Sequence, residues 1–194
     1  MAEYPQEVRP GGRGFPGAEV YRALKLVVLD VDGTLTDGGI VLDENGVEAK
    51  TFYVQDGAGI VLARLAGLEV GLLTARTSKL VERRAAELKI PPQRVLQGVI
   101  GKRQGFARLL AASGVQFSEA AYVGDDLIDW PVLREAAWAG CPADARPQVR
   151  EVCHGIAAAN GGRGAVRQIL EHLLQMRADG TWERTLAAYL GRES

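Results

Sequence analysis

Carboxylates at two points of the chain set the chemistry open to it. Asp30 and Asp32 stand one residue apart at the end of Leu26-Val27-Val28-Leu29, directly before Gly33-Thr34. Asp125, Asp126 and Asp129 follow Ala120-Ala121-Tyr122-Val123-Gly124 in the same way. Residues two apart on a strand project to one side, so Asp30 and Asp32 crowd each other. Such a pair repels unless a cation or a shared proton relieves it. A hard divalent ion such as Mg2+ takes oxygen ligands and completes its shell with substrate phosphate. One carboxylate could then attack phosphorus, and the other could give a proton to the leaving oxygen and later take one from water. Asp-x-Asp-Gly also suits a surface turn. The second acidic strand end tips the balance, because two such ends in one domain outline a magnesium site.

Two further residues fit a phosphoryl group. Thr74 ends Glu69-Val70-Gly71-Leu72-Leu73 and precedes a helix expected from Ser78 to Leu88. That step offers a hydroxyl and unpaired backbone N–H groups to an anion, although Thr at a strand end also serves as a cap. Lys102 falls in the first turn of the next helix, the end a lysine does not favour on dipole grounds. It therefore points to a bound anion, or else is a solvated surface lysine. Gly161-Gly162-Arg163-Gly164 could wrap a second anion with Arg163 beside it. It is no dinucleotide fingerprint, because the third glycine is missing.

These residues need a scaffold that brings strand ends together. Valine- and leucine-rich runs at 26–29 and 69–73 read as strands buried on both faces, with 94–96 and 120–123 beside them. Helices are expected between them, one opening at Asp56 as N-cap, one at Ser78 and one near Lys102. The fold class is α/β: a doubly wound, mostly parallel sheet with ligands at its carboxyl edge. Residues 138–141 and 156–158 read as short outer strands, and an amphipathic helix runs to about Met176. Residues 38–53 form a hairpin around Asn45-Gly46, placed to act as a flap or to pair with other subunits. Residues 1–17, with seven Gly and Pro, read as a flexible arm. Residues 18–177 form the domain and 178–194 a C-terminal tail helix.

Composition bounds the function. The chain has 194 residues, enough for one substantial core. A net charge of −1 gives no general attraction to nucleic acid or acidic membranes. No apolar run approaches the roughly 18 residues of a membrane span, and the N-terminus does not read as a secretory signal. A cytoplasmic setting is expected, with Cys141 and Cys153 as reduced, structural thiols.

In order, Asp30-Val31-Asp32-Gly33-Thr34, Thr74, Lys102 and Gly124-Asp125-Asp126 resemble the four motifs of the haloacid dehalogenase superfamily. More narrowly, Leu73-Thr74-Ala75-Arg76, the segment from Gly124 to Val132 and Gly161-Gly162-Arg163-Gly164-Ala165-Val166-Arg167 are similar to the 3-deoxy-D-manno-octulosonate 8-phosphate phosphatase family. The resemblance spans residues 24–176. It implies a nearly capless phosphatase with Asp30 as nucleophile and Asp32 as general acid/base. Mg2+ would be held by Asp30, Asp125 and the backbone carbonyl of Asp32, with Asp126 and Asp129 in support. Thr74 and Lys102 would hold the phosphoryl oxygens. Arg76 and Arg84 would meet the sugar-acid carboxylate, and Tyr53, Val54, Gln55, Asp56 and Gly57 would line the same pocket with Asp32 and Lys102. It also implies a homotetramer joined through hairpins, with tails covering neighbouring sites.

The chain departs from the family at Ala75, Tyr53, Gln55 and Val61, where Gly, Asn, Arg and Arg are usual. The last two bear on the sugar end of the substrate. A phosphatase of nine-carbon keto-deoxy acid phosphates is the rival enzyme; Arg76 favours the eight-carbon substrate. Receiver domains share the residue types but put the phosphorylated Asp on a later strand. A silent scaffold would have no need of the intact set Asp30, Asp32, Thr74, Lys102 and Asp125.

Overall fold

The structure, a computed structural model, describes residues 7–191. Residues 1–6 of the expected arm and 192–194 of the expected tail lie outside the described residues. In chain order the elements are β1 (Val8–Pro10), α1 (Ala18–Ala23), β2 (Leu26–Leu29), β3 (Val41–Leu42), β4 (Glu48–Ala49), α2 (Val54–Leu65), β5 (Glu69–Leu73), α3 (Lys79–Glu87), β6 (Val95–Leu96), α4 (Lys102–Ser113), β7 (Ala120–Val123), α5 (Trp130–Glu135), β8 (Trp138–Cys141), α6 (Pro147–Val152), β9 (Gly155–Ala157), α7 (Ala165–Gln175) and α8 (Thr181–Leu190). One seven-stranded sheet has the order β1-β9-β8-β7-β2-β5-β6, with β2 parallel to both β5 and β7.

Strand β2 is central because its residues suit no other place. All four are fully buried, and alternate side chains enter opposite layers. Val27 and Leu29 pack in the layer of α2 and α7, with Ile60, Val166 and Ile169. Leu26 and Val28 pack in the layer of α4 and α5, with Phe106, Leu109 and Leu133. The α/β architecture with helices on both faces is the one that the apolar runs predict. Ser78 caps α3 as expected, its Oγ accepting from Leu80 N at 3.3 Å. Among the described residues no helix is long and apolar enough to cross a membrane.

The N-terminal end of the chain differs from expectation. Strand β1 pairs antiparallel with β9, Val8 opposite Ala157, so the described part of the arm is an edge strand rather than a loose segment. This places β8 and β9 inside the sheet, not at its margin. Gly11 N then donates to His154 O at 2.9 Å, and Arg13 Nη1 to Leu133 O at 3.1 Å. Here the glycines permit close approach: a Cβ on Gly11 or Gly12 would sit 2.4 or 2.2 Å from a backbone carbonyl oxygen. At the other end, α8 packs on α2 and α7 of its own domain and buries Trp182, Thr181 and Thr185. The helix expected in the tail is thus present and packs within its own domain.

The hairpin expected at 38–53 stands apart as a small two-stranded sheet, Val41 opposite Ala49. Its turn is closed by Asp43, whose Oδ1 accepts from Asn45 N and Val47 N. Ile40, Val41, Leu42 and Val47 are about 60% exposed.

Candidate active site

The parallel ladder puts the acidic strand ends together. Asp30 N donates to Val123 O at 2.9 Å, so the residue after β2 is tied to the end of β7. Asp30, Asp125 and Asp129 each offer a carboxylate oxygen, and these atoms lie within 4.8 Å of one another. Asp125 Oδ1 accepts from Thr34 Oγ1 at 2.9 Å. Asp129 is wholly buried; Tyr122 OH donates to its Oδ1 at 2.6 Å, and the backbone N–H groups of Asp125 and Asp126 donate to its Oδ2 at 3.2 and 3.4 Å.

Lys102, the first residue of α4, reaches into this group. Its Nζ lies 2.5 Å from Asp30 Oδ1 and 3.0 Å from Asp129 Oδ1, and donates to Leu73 O at 2.8 Å. The lysine sits at the unfavoured end of its helix because its charge is spent on buried carboxylates. Three carboxylates face one ammonium, a deficit of two positive charges. The consequence shows in the acidities. Burial, and then the charge of Asp129, raise Asp30 to about 8 against the pull of Lys102. The same two causes, in the same order, raise Asp125 to about 7. Lys102 is itself raised by Asp129 and Asp30, against desolvation. A divalent cation between Asp30 and Asp125 would supply the missing charge, and the all-oxygen donor set suits a hard ion.

Asp32 faces the other way. Its Oδ2 accepts from Thr74 Oγ1 at 3.2 Å, and its Oδ1 is paired with Lys50 of the hairpin. Gly33 turns the chain back with φ +97°, where a Cβ would collide with Asp125 Oδ2 at 2.2 Å. The glycine-rich segment lies against this loop. Gly162 N donates to Thr34 O at 3.0 Å and Gly161 N to Asp144 Oδ1 at 3.0 Å, while a Cβ on Gly161 would fall 1.9 Å from Gly33 O. Its glycines thus let two loops touch, and these N–H groups serve protein oxygens rather than the anion expected there.

Of the residues expected in support, Asp129 is in the cluster and Asp126 is not. Asp126 is exposed and its Oδ1 accepts from Leu127 N at 2.7 Å. Asp56, expected to cap α2, instead caps α7, accepting from Arg167 N at 2.9 Å and Gly164 N at 3.2 Å. Tertiary packing against α7 decides this, and it leaves both Asp56 oxygens engaged. Tyr53, Asp56, Gly57 and Arg84 line an open crevice of about 270 Å³ with Phe52 and Leu88. Arg84 lies 6.0 Å over the Phe52 ring and pairs with Glu87 at 2.8 Å. Val54 and Gln55 are exposed. Arg76 is exposed and its Nη2 donates to Glu48 Oε1 at 2.7 Å.

The comparisons with known proteins bear on this arrangement. No family model matches the sequence. The chain is 42% identical over 151 residues to the 3-deoxy-D-manno-octulosonate 8-phosphate phosphatase KdsC of Escherichia coli K12, which covers 78% of this chain and 79% of that one. The Yersinia pestis protein of the same name is 38% identical, covering 78% and 80%. The chain belongs to the 3-deoxy-D-manno-octulosonate 8-phosphate phosphatase family. Among solved structures, that of the Moraxella catarrhalis phosphatase in complex with magnesium, phosphate and KDO superposes with a TM-score of 0.83 at 35% identity, covering 89% of this chain and 97% of that one. The cobalt-bound Haemophilus influenzae phosphatase gives 0.78 at 33%, covering 82% and 92%. The family lies in the haloacid dehalogenase superfamily, and its phosphatases are phosphoric monoester hydrolases.

Sequence reasoning missed three residues that touch this site. In the sequence Tyr122 stands only as a residue of the strand 120–123, Thr34 only within Asp30-Val31-Asp32-Gly33-Thr34, and Lys50 only within the hairpin 38–53. Nothing in their spacing marks them; each acquires its role from a partner distant in sequence.

Proposed function

We propose that this chain hydrolyses 3-deoxy-D-manno-octulosonate 8-phosphate to the free sugar acid and phosphate, with Mg2+ as cofactor. The observation that carries this reading is the buried group of Asp30, Asp125 and Asp129 facing the single ammonium of Lys102. Asp30 attacks phosphorus; as the Asp30–phosphorus bond forms, the bond to the sugar oxygen breaks and that oxygen takes a proton from Asp32. Water then attacks the aspartyl phosphate, Asp32 takes its proton, and phosphate leaves with Asp30 restored. Asp30, Asp125 and the backbone carbonyl of Asp32 would hold Mg2+, which would supply positive charge to the phosphoryl oxygens. Lys102 and Thr74 hold those oxygens, and such spreading of charge is what this transfer chiefly requires.

Arg76 is an exposed guanidinium two residues beyond Thr74, and a carboxylate can take it in place of Glu48 as a bidentate partner. Tyr53 and Gly57 of the crevice, with the exposed Val54 and Gln55, border the sugar end. We place the enzyme in the cytoplasm, where the buried Cys141 and Cys153 remain thiols. The exposed Ile40, Val41, Leu42 and Val47 favour association through hairpins, in a homotetramer. Light scattering on the Val41→Ser/Leu42→Ser variant tests that assembly.

Phosphate release from the eight-carbon substrate, with Mg2+ and with chelator, tests the function beside the nine-carbon analogue. Magnesium-dependent preference for the eight-carbon ester is expected. Preference for the nine-carbon ester would keep the chemistry and transfer the substrate assignment to the rival reading.

A further inference from the structure

Lys50 is an anomaly of the hairpin. Its neighbours from Ile40 to Val47 stand in solvent, yet its side chain is 3% exposed. A buried ammonium needs anionic partners, and Lys50 has two. It is paired with Asp32 Oδ1 and lies 3.4 Å from Glu48 Oε1. Glu48 in turn accepts from Arg76 at 2.7 Å. Charges alternate along Asp32, Lys50, Glu48 and Arg76, so this row is balanced where the group at Asp30 is not. The Arg76–Glu48 pair alone would tie the hairpin to the loop after β5. Lys50 goes further and takes hold of the acid/base itself.

Asp32 has two oxygens, and the structure gives them different partners. Oδ1 is held by Lys50; Oδ2 lies 3.2 Å from Thr74 Oγ1, a hydroxyl that the mechanism proposed above assigns to the phosphoryl oxygens. We propose that Lys50 is a positioning residue for the reaction: by gripping Oδ1 it fixes the carboxyl of Asp32 with Oδ2 toward the bond being broken. The inference rests on the acid/base role proposed above for Asp32. In the first half of the reaction the proton on Asp32 passes to the sugar oxygen as its bond to phosphorus breaks, and the carboxylate left behind stays paired with Lys50. In the second half the same oxygen takes the proton of the attacking water. The hairpin is thereby a working part of the catalytic centre.

A leaving-group comparison tests this, because a group that leaves readily as its anion needs no proton. Lys50→Met, Lys50→Arg and Asp32→Asn would be assayed on the sugar-acid phosphate and on p-nitrophenyl phosphate, with thermal midpoints as a check of folding. General acid–base catalysis contributes roughly 10²–10⁴-fold. Lys50→Met should therefore lower kcat/KM, which covers only the steps through departure of the leaving group, about 100-fold on the sugar-acid phosphate and less than about 5-fold on the nitrophenyl ester. Lys50→Arg, which keeps the charge, should recover most of the loss. Equal losses on both esters, or no loss on either, overturn the proposal. Asp32→Asn separates the two levels: if it too fails to discriminate between the esters, the acid/base reading falls; if it discriminates and Lys50→Met does not, only the role of Lys50 falls.

Discussion

Two of the places where the molecule buries ionisable groups treat them in opposite ways. At the carboxyl edge of β2 and β7, Asp30, Asp125 and Asp129 crowd around Lys102, which leaves two negative charges unanswered. Beneath β8 and β9, His154 and His172 lie among Trp138, Tyr21 and Phe15, and among the described residues no carboxylate pairs with either. His154 Nδ1 accepts from Ala139 N at 2.9 Å, and His172 Nε2 meets Tyr21 OH at 3.3 Å. Burial lowers both histidines to about 4, so they stay neutral at pH 7. A satisfied neutral group stabilises the fold; an unbalanced charged one is held ready for something that binds. Charge balance, more than burial itself, separates the functional region from the structural one.

The sharpest way to break the comparison is to remove the nucleophile. Asp30→Asn should lower phosphatase activity by about four orders of magnitude or more, while circular dichroism remains native. Activity within tenfold of the parent would remove Asp30 from the mechanism and leave the cluster as mere burial.

Magnesium supplies the next test. Saturation at about 100 times its Kd should stabilise the protein by about 2.7 kcal/mol, raising the thermal midpoint by roughly 5–10 °C. In chelator, Asp125→Asn should melt at or above the parent's temperature, because it relieves burial of the charge and repulsion with Asp129 and Asp126. It should also lose most of the magnesium shift. A variant that melts lower in chelator and keeps the full shift would show that the site carries no charge deficit.

Tyr122→Phe removes the hydroxyl that donates to Asp129 at 2.6 Å. A hydrogen bond to a charged group contributes about 1.5–3 kcal/mol, so activity should fall about tenfold with the magnesium shift retained. An unchanged rate would mean that Lys102 and the two backbone N–H groups hold Asp129 without it.

The smallest effect belongs to the histidines. Their folded pKa of about 4 lies below the ordinary value near 6.5. Between these values the unfolded chain binds more protons, so stability is complete above about pH 6.5 and declines as pH falls toward 4. Asp30 and Asp125, raised to about 8 and about 7, give the opposite slope over the same range, so the histidine part is read by difference: the urea midpoint of His172→Phe relative to the parent's should rise as pH falls from 6.5 to 4. An unaltered slope in the variant would assign the acid sensitivity to other groups.

Much of this was legible in the sequence because it is local. The runs at 26–29, 69–73 and 120–123 form the three central strands as read, and Asp30, Asp125, Asp129 and Lys102 meet at their ends. Glycines and lone polar residues were misread where their meaning lies in what approaches them. Gly11 and Gly12 suggest a loose arm but sit against backbone carbonyls of the segment after α6. Asp56 suggests a cap for its own helix but caps α7, more than a hundred residues away.

The sequence by itself determined which strands are buried on both faces and which end in carboxylates, because side-chain polarity and period-two alternation are properties of neighbouring residues. Tertiary structure alone decided which oxygens point inward, that Asp126 turns to solvent while Asp129 takes its place, that α8 stays on its own domain, and that Lys50 crosses from the hairpin to Asp32. Those choices depend on the energy of bringing distant charges and surfaces together, and no local pattern records it.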